Sequence, residues 1–153
     1  MSESNAPVPP DDAAACCGVV HGCTFAKVLL SRAASCECAE RRVAGEASAV
    51  DCRSPVAHHN CETLAALFAE RARFALRLPP AGRPLLHMQA LRLQCGGVAA
   101  LREHLGLVPG ATDVHRLVQA AQQRHESLTA LPWADLVPRM QAWAPRRRGA
   151  PPR

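Results

Sequence analysis

Cysteine placement constrains this chain more than any other feature. Cys23, Cys36, Cys52 and Cys61 fall within one short segment, at spacings C-x12-C, C-x15-C and C-x8-C, and Cys95 follows later, ahead of Gly96 and Gly97. Zinc sites usually pair thiolates at C-x2-4-C, because two on one tight turn half-build a tetrahedron, and bacterial ferredoxins string theirs at similarly short intervals. No C-x-x-C occurs here. The thiols can share a site only if separated elements carry them to one point. A cluster spans more volume than a single ion and accepts ligands from different elements, so the pattern predicts an iron–sulfur cradle. Four of Cys23, Cys36, Cys52, Cys61 and Cys95 would be ligands, and the fifth a spare, a cap or an alternate ligand. [4Fe–4S] is expected ahead of [2Fe–2S], with structural zinc as the alternative cofactor.

The scaffold expected around them is all-α. Hydrophobic residues make up 48% of the chain, but aromatics only 3% with no Tyr, so the core is built from Leu, Ala and Val, which suits packed helices. At 153 residues one domain is the working count. The prediction is a single compact bundle of four to six helices over residues 13–143, with a disordered Pro-rich segment over 1–12 and a disordered basic tail over 144–153.

From Thr24 the sequence FAKVLLSRAASCECAERRV has a helical period. At ~100° per residue, Phe25, Val28, Leu29, Cys36, Ala39 and Val43 lie within about 60° of one direction. Cys36 then sits on an apolar face, Cys38 points away as an exposed bystander, and Arg32 lands on the apolar face, where it needs an anion. Gly45 to Asn60 reads as a loop around Cys52. Asn60 as N-cap makes Cys61 open the next helix, where free N–H groups favour a thiolate. LPPAGRP (Leu78 to Pro84) breaks the chain. The Gly96-Gly97 pair marks a tight turn or a close approach, either to a cluster or to another helix. Thr112-Asp113 caps a last long helix, and three prolines limit Trp133 to Trp143 to short helical pieces.

Among the other candidates, the adjacent pair Cys16 and Cys17 suits one metal ion poorly, because consecutive side chains diverge. His21, His58 and His59 lie beside cysteines and are possible ligands or hydrogen-bond donors, whereas His104, His115 and His125 read as scaffold. No Ser-His-Asp or paired-carboxylate pattern stands out, so an enzyme is not the expected class.

Net charge is +5, of which Arg146, Arg147, Arg148 and Arg153 supply four. Nucleic acid is therefore a partner only through the tail. No apolar run approaches the ~20 residues that span a bilayer, and the first residues lack the basic start and apolar run of a signal peptide. The expected protein is soluble and cytoplasmic, with reduced thiols and no membrane partner. Expected functions are electron transfer to a redox partner protein or sensing of redox state, oxygen or iron. A structural zinc interaction module and a thiol switch using Cys61 with Cys52 are the alternatives.

The segments CTFAKVLLSRAASCE, NCETL, RARFAL and LQCGG, together with the Cys52 loop, resemble a group of small proteobacterial cysteine-motif proteins. The resemblance covers Cys23 to Leu105. It implies that Cys23, Cys36, Cys52, Cys61 and Cys95 belong to the group's motifs and that Cys16, Cys17 and Cys38 do not. It implies no activity.

Overall fold

A computed structural model describes residues 21–110 and 112–146. The segment 1–12, Cys16, Cys17 and all but the start of the tail, about which the sequence made expectations, lie outside the described residues. The elements run β1 (His21–Gly22), α1 (Ala26–Leu30), β2 (Ala39–Ala44), β3 (Ala47–Cys52), α2 (Pro55–Arg71), α3 (His87–Leu91), α4 (Gly97–His104), α5 (Val114–Arg124) and α6 (Trp133–Ala142). A π-helical turn (Arg92–Gly96) joins α3 to α4, and a 3-10 turn (Leu128–Ala130) precedes α6. Among the described residues no helix is long and apolar enough to cross a membrane.

The all-α expectation is overturned by a three-stranded antiparallel sheet of order β1-β3-β2. The helix predicted from Thr24 through Val43 ends at Leu30. Arg32 takes a left-handed φ of 59°, the Ala33 N–H donates to Val28 O at 3.1 Å and the Arg32 N–H to Leu29 O at 3.2 Å. That bond pair is a Schellman stop, with arginine where glycine is usual. It carries Arg32 off the apolar face and into solvent.

Residues 39–52, read as helix end and loop, form a β-hairpin with Ala39 opposite Cys52 and Ala44 opposite Ala47. Gly45, at φ 64°, opens the two-residue turn, a position that demands a left-handed backbone. Cys36 therefore lies in the coil between α1 and β2, not on a helix face.

Helix α2 also starts earlier than expected. Ser54 is its N-cap, accepting from the Ala57 N–H at 3.2 Å, and Pro55 occupies the first turn, where its missing N–H is no loss. Cys61 thus sits well inside the helix, on the stripe of Ala57 and Leu64. The Trp133–Trp143 segment is one helix, α6, that tolerates Pro138.

The core is centred on Phe68 of α2, whose ring meets Phe25 edge-on at 6.2 Å and Trp133 at 5.9 Å. Leu101, Leu117, Leu136 and Met140 close around it, each fully buried. The two glycines serve this packing. A Cβ at Gly97 would stand 2.4 Å from the Phe68 ring, and one at Gly96 would stand 3.1 Å from Met140 O. The bodies approaching the glycines are two neighbouring helices, α2 at Gly97 and α6 at Gly96.

Candidate metal centre

Four cysteines line one pocket: Cys23, Cys36, Cys52 and Cys61, with His58, His115 and the apolar walls Ala39, Ala57 and Val114. Each arrives by a different route. Cys52 ends the central strand β3, where it faces His21 of β1 and Ala39 of β2. Cys23 follows β1, its N–H donating to Val50 O at 2.8 Å. Cys61 reaches in from α2.

Cys36 is held by a clamp to α5. The Ser35 N–H donates to Thr112 O, and the Val114 N–H to Ser35 O, both at 2.9 Å. Asp113, the N-cap of α5, uses both carboxylate oxygens. Oδ1 accepts from the Arg116 N–H at 3.1 Å and Oδ2 from the Glu37 N–H at 2.7 Å. The start of α5 and the Cys36 coil are thereby locked together across more than seventy residues of sequence.

At two of the thiols nearby backbone amides offset part of the effect of burial. The Phe25 amide stabilises the Cys23 thiolate, and the amides of Cys38 and His115 that of Cys36. Cys36 thus receives an N–H from the first turn of α5, where helix amides lack intrahelical partners. A thiolate at a helix N-terminus was expected for Cys61, and it is Cys36 that occupies such a place. The structure corrects the Cys61 expectation in sign as well. Burial, then the nearby Cys36, Cys23 and Cys52, push its thiol up to about 12. Burial likewise pushes Cys23 up to about 11 and raises Cys36.

The space between the four thiols is about 10 Å³, room for roughly one water. Among the described residues no three His, Cys, Asp or Glu side chains are set around a point so as to grip a single metal ion. The Cys52 thiol donates to Ser54 O at 3.3 Å, a contact that loading of the pocket would break.

Cys95 stands apart from the four. It is buried in the π-helical turn, its Sγ 3.7 Å from Ser31 Oγ, and no other thiol contributes to the rise in its pKa, which comes from burial. Cys38, expected to be a bystander, is half-buried beside β2, and burial and then its neighbours Cys36 and Cys52 raise its thiol.

Of the histidines beside cysteines, His58 lines the pocket, stacks on His21 at 4.7 Å and places Nε2 3.1 Å from Gly22 O. His59 is exposed. His115, read as scaffold, lines the pocket and lies 3.8 Å from Glu37. Its proximity to Cys36 has no local signal, since the clamp that creates it is long-range. The chain matches no protein-family model, no curated protein and no solved structure.

Proposed function

We propose that Cys23, Cys36, Cys52 and Cys61 are the ligands of an iron–sulfur cluster, [4Fe–4S] ahead of [2Fe–2S], in a protein of electron transfer or of redox, oxygen or iron sensing. The observation that carries this reading is the arrival of four thiols, from four places in the fold, on one pocket. Soft anionic sulfur is what iron bound to bridging sulfide requires. Amides directed at Cys23 and Cys36 are the donors that tune a cluster's potential. One thiol per wall suits a body with several irons. Loading removes the thiol protons and widens the pocket, so the Cys52 contact to Ser54 O gives way.

A zinc ion is the second reading; the number of thiols favours it, and they would have to draw together around one point to hold it. The thiol-switch reading loses its support, because Cys61 lacks the helix N-terminus that was to activate it.

Anaerobic purification with iron, sulfide and zinc analysis tests the proposal. The expected product is brown, and single Ser replacements at Cys23, Cys36, Cys52 or Cys61 bleach it while Cys38→Ser and Cys95→Ser do not. Colourless protein with one zinc per chain selects the second reading. Uniform tolerance of all six replacements rules out both.

A further inference from the structure

Behind the thiol pocket lies a second, larger feature, an open groove of about 1200 Å³ that shares Cys36 and Ala39 with the pocket as common walls. Among the described residues four arginines line it, each from a different part of the chain. Arg32 belongs to the turn after α1, Arg41 to β2, Arg102 to α4, and Arg146 to the strand-free segment after α6. Among the described residues no carboxylate lines it. Arg41 donates to Leu29 O at 3.0 Å, and among the described residues none of the four is within ion-pair distance of an acid. The acidic residues that do pair, Asp51, Glu37 and Glu103, serve Arg42, Arg116 and Arg139 instead. Between the guanidinium groups the walls are apolar, with Leu91, Val98 and Trp143 among them.

We propose that this groove is the docking site for an acidic segment of a partner protein, which it seats against the Cys36 wall of the thiol pocket. The volume exceeds the ~300–1000 Å³ of ordinary small-ligand pockets. Guanidinium groups on four separate elements ask for an elongated ligand with several carboxylates, and the apolar walls between them ask for aliphatic or aromatic side chains spaced among those carboxylates. A peptide strand supplies both. Arginine is suited to this role because its fork pairs with carboxylates in bidentate fashion and it sheds water more readily than lysine. A nucleic-acid channel would present stacking rings along its floor, and among the described residues Trp143 is the one aromatic ring in the lining. That the partner exchanges electrons or a cluster rests on the thiolate-centre reading. The acidic docking does not.

The test uses the full chain, reduced and metal-free, and a short fluorescent peptide alternating glutamate and leucine, titrated by anisotropy at low salt. Charge reversal by Arg32→Glu, Arg102→Glu or Arg146→Glu is expected to weaken binding about tenfold each, with Arg124→Glu on α5 as the control that leaves it unchanged. Arg146 follows the last helix, so its reversal leaves the core intact and circular dichroism confirms folding of each variant. Equal affinity in wild type and groove variants overturns the proposal, as does an equal loss in the Arg124 control. A single-stranded oligonucleotide of matching charge that displaces the peptide, and is itself lost in the same three variants, replaces it with a nucleic-acid surface. Because the metal-free protein is used, peptide binding survives a failure of the cluster reading, and brown protein that ignores the peptide defeats the docking alone.

Discussion

Replacing Gly97 by alanine sets two effects of known size against each other. Alanine in a helix is favoured over glycine by about 1 kcal/mol, and by that measure alone the variant is more stable. The added Cβ, however, lands 2.4, 2.6 and 2.8 Å from three atoms of the Phe68 ring. That ring cannot step aside, because Phe25 and Trp133 hold it edge-on from two directions and it is 1% exposed. Overpacking of a closed core costs about 1–3 kcal/mol; three contacts under 3.0 Å put this one at about 2–3, so after the helix gain Gly97→Ala is expected to lose about 1–2 kcal/mol net. Phe68→Leu alone costs roughly 1–2 kcal/mol through the cavity it leaves. Combined, the two changes should cost less than their sum by about 1 kcal/mol or more, since the Cβ then occupies space the ring vacated. Urea titration of the reduced, metal-free protein measures all four corners of the cycle. A Gly97→Ala variant as stable as wild type, or strict additivity, refutes the reasoning and reopens the glycines as a place for something other than a helix.

Asp113→Ala removes an N-cap and the anchor of the Glu37 amide, a loss of about 1–2 kcal/mol. Asp113→Asn, whose single amide oxygen can serve only one of the two N–H groups, falls between, and urea denaturation ranks the three. Burial and the nearby His125, whose Nε2 is 3.0 Å away, hold the His104 imidazole below its ordinary value of 6.5. The unfolded chain therefore takes the proton first as pH falls below 6.5, so the contribution of His104 to stability is flat above that value and declines beneath it. Melting curves in buffers across that range check the sign, and His104→Gln should flatten the decline. In the metal-free protein, a thiol pushed up to about 12 is ionised to roughly one part in ten thousand near pH 8, so iodoacetamide should label Cys61 last among the four pocket cysteines, as peptide mapping will show.

What could be read from the sequence was local. Asp113 as a helix cap and the chain break after Leu78 needed nothing beyond neighbouring residues, and both are present. The helix assigned through Val43 failed because its stop uses Arg32 in a left-handed conformation, which no glycine or asparagine announces. A second such stop stands at Arg77, φ 50°. The hairpin did carry a signal, the Gly45-Glu46 pair between ERRVA and ASAVD, but a helical reading of the first half absorbed it. Helical phase placed Cys36 on an apolar face, whereas strand pairing and the Asp113 clamp are what bring it to Cys23 and Cys52. Cys95 looked equivalent to the others by its flanking glycines, and those glycines answer to Phe68 and Met140.

The clamp between the Cys36 coil and α5 also has a consequence in time. Chains grow from the N-terminus at roughly 5–20 residues per second, so Cys23, Cys36, Cys52 and Cys61 leave the ribosome several seconds before Asp113 and His115 exist. During that interval the nascent chain carries four accessible thiols with nothing to hold Cys36 in its place. A pocket shared by the four thiols can therefore form only once the C-terminal half has been made, and until then the thiols are free to pair with one another.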